Sequence, residues 1–266
     1  MVTAVDPEVL ERGGLTLEEN GFVATISLHR PETKNAQTPA TWNALRIIGA
    51  SLDPGIRVVV VRGSGDTFSS GLDRRMLGSE GLEGETAVLQ LLSMPDPEIA
   101  ESIAGWQEAF TWLRRPEIIS VAAVRGPAVG AGFQLALACD LRVLADDARF
   151  SMREPVLGLV PDLTGTKPLV GLVGYSRALE ICATTRWVDA EEARQIGLAT
   201  AVVPVEELDD TVNDLVAALT APIYGAVTAT KALLQSAQHL DLEEQRLAER
   251  EAQVLRFREL AALLET

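Results

Sequence analysis

Three segments carry the residues best suited to chemistry: Phe68-Ser-Ser-Gly-Leu-Asp73, Arg125-Gly-Pro-Ala-Val-Gly-Ala-Gly-Phe-Gln-Leu-Ala-Leu-Ala-Cys-Asp140 and Arg153-Glu-Pro-Val-Leu-Gly-Leu-Val-Pro-Asp162. In the second, Gly126, Gly130 and Gly132 stand between a β-like run and an alanine-rich helical segment. Glycines let a backbone approach a ligand closely, and the first turn of a helix has N–H groups without intrahelical partners. Such donors can stabilise a developing anion. The same pattern suits a turn that packs a helix tightly onto a strand, and the residues alone leave both readings open. In the third segment Asp162 follows Glu154 by eight positions. Burial of such carboxyls would raise their pKa values toward neutrality, which suits proton transfer. The plainer alternatives are a surface pair of Glu154 with Arg153, and Asp162 as the cap of a helix beginning near Leu163.

The elements that must position these residues follow from periodicity. Residues 15–18 and 22–28 are β-like runs around Glu19-Asn20-Gly21, a hairpin signal. Residues 30–36 form a loop, and 39–52 a helix that starts after Thr38. The nearly continuous β-branched run 56–62 reads as a buried strand. Residues 118–124 and 141–145 are two more strands, with a helix over 131–139 between them. This alternation argues for parallel pairing in an α/β fold. The stretch 76–101, rich in Gly, Glu and Pro, reads as a mobile segment with short helices beside the site. From residue 205 the β signal stops, and 205–219, 222–238 and 242–264 read as helices, the last strongly charged. Such a tail makes subunit contacts or lies solvated as an amphipathic helix.

The 266 residues, 47% of them apolar, support one large domain with a substantial core and leave room for a small appendage. No run approaches the roughly 18 apolar residues of a membrane span, so no membrane insertion is expected. The opening residues lack a basic stretch followed by an apolar one, so no leader is expected either, and the chain reads as cytoplasmic. Cys139 and Cys182 read as small core residues, and two distant histidines argue against a zinc site, so no metal is expected. A net charge of −15 disfavours nucleic-acid binding. An anionic ligand would need a local basic patch, for which Arg30, Lys34, Arg74 and Arg75 are the candidates.

In order and spacing the three segments resemble the crotonase superfamily, the enoyl-CoA hydratase/isomerase family, from about residue 15 to 205 with a fainter echo at Ala229-Thr-Lys231. The resemblance implies a spiral of β-β-α turns over residues 1–204, holding an acyl-CoA site, and a C-terminal helical oligomerisation region over 205–266. It implies a homotrimer or homohexamer, and no cofactor beyond the coenzyme A of the substrate. The backbone amides of Leu72 and Ala131 would hold the thioester oxygen, and Glu154 would stand at one of the two hydratase glutamates. The other glutamate position carries Gln134, which can orient water but cannot exchange a proton near neutral pH. Asp162 matches the dienoyl-CoA isomerase branch and would complete the carboxylate pair. Arg30, Lys34, Ala36, Ser70, Gly71, Asp73, Arg74, Arg75, Gln134 and Lys231 would line the substrate and coenzyme A path. The implied reaction is movement of a double bond in an enoyl- or dienoyl-CoA. Enoyl-CoA hydration is its nearest rival, and a non-catalytic acyl-CoA binder the further one.

Overall fold

The computed structural model describes residues 5–78, 81–82, 84–85 and 88–264. Its larger sheet contains β1 (Leu15–Asn20), β2 (Val23–Leu28), β3 (Val58–Gly63) and β4 (Ile119–Val124). After β5 (Pro127–Val129) come β6 (Leu141–Ala145), β7 (Arg149–Ser151), β8 (Val188–Asp189) and β9 (Ala201–Val203). The six-stranded sheet has the order β1-β2-β3-β4-β6-β9 and the three-stranded one β5-β7-β8. Only β1–β2 in the larger sheet is antiparallel; its Asn20–Val23 pairing leaves Gly21, at φ 58°, and Phe22 as the turn. The chain moves from β4 directly to β5 and from β6 to β7, so each pass sets one strand in each sheet before a helix follows.

The helices are α1 (Pro7–Gly13), α2 (Pro39–Ser51), α3 (Val88–Leu91), α4 (Asp96–Thr111), α5 (Ala131–Ala138), α6 (Thr166–Val173) and α7 (Tyr175–Thr184). They continue with α8 (Ala190–Gln195), α9 (Leu208–Thr220), α10 (Tyr224–Ser236) and α11 (Leu242–Leu264). The α2 start is a reciprocal capping box between Thr38 and Thr41, with Pro39 in the first turn. Strand β3 is buried on both faces, which explains its unbroken valines: Val59 and Val61 enter the main core, Val58 and Val60 a second one. That second core lies against Leu208 and Val212 of α9, so α9 completes the packed body. Helices α10 and α11 have no fully buried residue among those described.

Two expectations change here. The stretch 76–101 contains the start of α4, a regular 16-residue helix with Asp96 and Glu98 in its first turn and a proline there. Acidic residues and proline at that end satisfy the dipole and the missing donors, which composition alone concealed. Residues 79, 80, 83, 86 and 87 of that stretch lie outside the described residues. Second, the helix expected near Leu163 begins at Thr166 with Gly165 as its cap, so Asp162 does not cap it. Among the described residues no single helix is long and apolar enough to cross a membrane, and no group of three His, Cys, Asp or Glu side chains could hold a metal ion.

Candidate active site

The site is organised around α5, all eight of whose residues are buried. An apolar helix in the core must still satisfy its terminal carbonyls. Arg142, 3% exposed, does so: its guanidinium donates to the carbonyls of Ala136 (3.3 Å), Cys139 (2.8 Å), Asp140 (3.2 Å) and Leu198 (2.6 Å). Burial brings its pKa down to about 10. At the other end, Gly130 at φ 51° turns the chain from β5 into the helix. A Cβ there would sit 3.3 Å from Glu154 Oε1, so the bare glycine gives the carboxyl its place.

The loop 69–72 lies against this helix start. Ser69 N donates to Pro127 O, and Val129 N to Ser69 O. On the other side Gln37 N donates to Gly71 O and Asp73 N to Gln37 O, both at 2.8 Å. A parallel bridge made through residues 71 and 73 turns the amide of Leu72 away from Gln37. Gly71, at φ 84°, comes so close that a Cβ would be 2.4 Å from Val129 O and 3.4 Å from Ala131 N. The loop that carries Leu72 and the helix start that carries Ala131 therefore meet at Gly71, and neither amide is used in a hydrogen bond among the described residues.

Beneath the loop lies a buried polar network that the sequence did not single out. Asn35, at φ 53°, donates through Nδ2 to Ser64 O and Thr67 O. Ser69 Oγ donates to Asn35 O and accepts from Gln37 Nε2 and Gly71 N, while Gln37 Oε1 accepts from the Trp42 indole. Asn35, Gln37 and Ser69 are uncharged and scattered, so only the left-handed-tolerant Asn35 within the loop 30–36 offered a signal.

The Glu154 carboxyl faces the helix start, and the charge of Asp162 is felt there. Glu154 begins a short 3-10 turn, Glu154–Leu157. It does not pair with Arg153, whose guanidinium lies 5.3 Å from the Trp187 ring centre. Burial pushes the Glu154 carboxyl above the ordinary glutamate range, with the charge of Asp162 adding to the effect; backbone donors and the Gln134 amide oppose it. Its Oε2 is buried without a hydrogen-bond partner. Burial also raises Asp162. Gln134 is fully buried: Nε2 donates to Glu154 Oε1 at 2.6 Å, and Oε1 accepts from Leu163 N (2.9 Å) and Gly165 N (3.2 Å). Its expected place on the substrate-lining surface is corrected accordingly, because both carbonyl lone pairs are used inside the protein.

The remaining expected residues divide by position. Lys34 and Arg74 are exposed, while Ala36 is buried and Ser70 half-buried, its Oγ donating to Thr33 O. Arg75 is exposed but paired with Asp73 at 2.6 Å, which holds the Asp73 carboxyl below its ordinary range; Asp73 also caps the turn Arg74–Leu77. Arg30 folds back onto the Arg12 carbonyl and over Gly14. Lys231 is a correction. Its ammonium donates to Arg115 O (2.8 Å), Ile118 O (2.6 Å) and Asp140 Oδ2 (2.7 Å), using all three protons to tie α10 to the start of β4.

The sequence profile of the enoyl-CoA hydratase/isomerase family matches residues 18–261. The chain belongs to this family. A candidate enoyl-CoA hydratase from Thermobifida fusca YX, solved in complex with CoA, superposes with a TM-score of 0.93 at 49% identity, covering 98% of this chain and 100% of that one. Its complex with acetoacetyl-CoA gives 0.93 at 50%, with 97% and 100% covered. A crotonyl-CoA hydratase of Syntrophomonas wolfei is 31% identical over 86% of this chain and 84% of its own. A peroxisomal Delta(3,5)-Delta(2,4)-dienoyl-CoA isomerase of Arabidopsis thaliana is likewise 31% identical, over 82% and 79%. The fold is the crotonase fold, and the protein is an enzyme of the hydratase/isomerase family. The relatives' names span both reactions.

Proposed function

We propose that this enzyme moves a carbon–carbon double bond in an enoyl- or dienoyl-CoA. The observation that carries the reading is the pair of half-buried carboxyls, Glu154 and Asp162, both raised in pKa, beside a Gln134 whose amide cannot take a proton. With a 3-enoyl-CoA, one carboxylate removes a proton from C2 and the electron pair passes through the thioester carbonyl onto its oxygen. The Leu72 and Ala131 amides stabilise that oxyanion, each worth about 3–4 kcal/mol by analogy with other oxyanion holes. The second carboxyl, entering protonated, delivers its proton to C4, and the bond re-forms between C2 and C3. The two groups end with exchanged protonation and reset through solvent. Exposed Lys34 and Arg74 supply positive charge for the anionic coenzyme A, with Ala36, Ser70 and Gly71 along the backbone path.

A second reading, hydration of a 2-enoyl-CoA, draws on the unpartnered Glu154 Oε2, which has room in its bonding to hold a water. Gln134 argues against it, since its carbonyl is committed to Leu163 and Gly165. For the assembly, Val156, Leu157, Leu159 and Val160 are exposed, as are Leu247, Val254, Leu255, Phe257 and Leu260 of α11. Apolar surface of this kind favours association of copies into a trimer or hexamer, which light scattering would count.

The deciding assay offers a 2-enoyl-CoA and a 3-enoyl-CoA to the wild type, Glu154→Gln and Asp162→Asn, followed by mass and ultraviolet absorbance. Isomerised product without an added water, lost in both variants, is expected. Water addition that survives Asp162→Asn would establish the hydratase instead.

A further inference from the structure

We propose that Gln134 is a positioning residue that locks the two carboxyl-bearing segments to each other and keeps Glu154 the anionic member of the pair. The inference rests on the isomerase reading for its kinetic consequences only. One end of the amide donates to Glu154 Oε1 at 2.6 Å, and the other accepts from Leu163 N and Gly165 N, the backbone that immediately follows Asp162. The orientation is forced: an oxygen that accepts two backbone N–H groups leaves only the NH2 for Glu154, so Glu154 meets a donor and never an acceptor. A donor favours the ionised carboxylate. Among the described residues no side chain donates to the carboxyl of Asp162, which accepts its own backbone N–H, so the side-chain donor acts on Glu154 and not on Asp162.

The segment behind Asp162 is held in an unfavourable backbone conformation by side chains of two helices. Thr164 sits at φ 69°, a region that costs a non-glycine residue energy and persists only where neighbours enforce it. The enforcing contacts are two glutamines from two helices. Gln134 of α5 takes the N–H groups of Leu163 and Gly165, and Gln107 of α4 donates to Asp162 O at 2.7 Å. Gly165 packs on the same amide: a Cβ there would lie 2.7 Å from Gln134 Cγ. Gln134 hydrogen-bonds to both carboxyl-bearing segments, whereas Gln107 reaches that of Asp162.

The test uses Gln134→Met, which keeps length and loses both ends of the amide, Gln134→Glu, and Gln107→Met. The Glu154 carboxyl is titrated by infrared difference spectroscopy, its band assigned by loss in Glu154→Gln. Rates on a 3-enoyl-CoA are measured across pH. In Gln134→Met the Glu154 midpoint should rise by about one to two pH units, since hydrogen bonds to charged groups have that size. Its kcat should fall about 10- to 100-fold, with KM within about threefold and the acid limb of the pH profile displaced upward. Gln134→Glu, while protonated, reproduces the acceptor and the donor together. Its kcat should approach wild type at acid pH and collapse as the second proton leaves. Gln107→Met should leave the Glu154 midpoint in place. An unchanged Glu154 midpoint and a superimposable pH profile in folded Gln134→Met would overturn the proposal. If Gln134→Met fails to fold, a Gln134→Glu profile parallel to wild type would overturn it equally. Failure of the wild type to isomerise would refute the reaction assigned above, while the carboxyl titration still decides the role of Gln134.

Discussion

Replacing Gly132 by alanine separates the two amides at the helix start with a single methyl group. A Cβ at this position would lie 2.7 Å from both Cβ and the carbonyl oxygen of Ser69, against ordinary contact beginning at 3.4 Å. The gap must open by roughly 0.7 Å. Neither side yields cheaply: Ser69 Oγ is held by Asn35, Gln37 and Gly71, and every residue of α5 is buried. The displacement therefore moves Ala131 away from Leu72. A donor of this kind is worth about 3–4 kcal/mol when lost, and misplacement near 1 Å costs on the order of 100-fold. We expect kcat on an enoyl-CoA to fall about 30- to 100-fold with KM changed less than about threefold. Overpacking should cost about 1–3 kcal/mol, which leaves the protein folded with a lowered Tm. Gly171→Ala on α6, with nothing within 4 Å, is the control and should keep its kcat. Initial rates and thermal melts of both variants suffice. A Gly132→Ala enzyme with wild-type kcat would refute the claim that loop and helix present their amides as one unit.

Neutralising either half-buried carboxyl, Glu154 or Asp162, should stabilise the protein while abolishing activity. Burial raises both pKa values, so above the ordinary 4.5 and 3.8 the native state binds more protons than the unfolded one, and stability falls as pH rises through that window. Glu154→Gln and Asp162→Asn should thus melt higher than wild type at neutral pH and equally below about pH 4; equal melting at every pH would contradict the burial argument. Lys231→Met should destabilise by about 3–5 kcal/mol, because it strips the ammonium from an ion pair whose side chains are only 11% and 18% exposed. Its KM for a coenzyme A thioester should change less than about twofold; a raised KM with unchanged melting would return Lys231 to ligand binding.

What could be read beforehand was whatever a period or a glycine encodes. The valines of β3 and the alternation of strand and helix gave the parallel sheet, and Gly71, Gly130 and Gly132 marked the close approach of loop and helix. Helix α1 carries the same kind of signal: Asp6 caps it, Pro7 opens it, and Gly14 closes it in the left-handed region. The short strands β5, β7 and β8 were not legible, because two or three residues carry no period. Lys231 escaped for another reason. Its partners Arg115, Ile118 and Asp140 lie more than ninety positions away, and two of the three are backbone carbonyls that no residue type announces.

Gln134 shows how a residue type can mislead when its surroundings are unknown. In the sequence, a glutamine where a glutamate is expected reads as a missing acid. In the structure a carboxylate there would face a problem that glutamine avoids. It would stand 2.6 Å from Glu154 in a buried pocket, where two negative charges cannot both persist. It would also have to supply a donor toward Glu154 while accepting from Leu163 and Gly165, which only its protonated form could do. The amide meets both demands at every pH. Position 134 is thereby removed from proton chemistry, which in the proposed isomerase leaves Glu154 and Asp162 as the pair that exchanges protons.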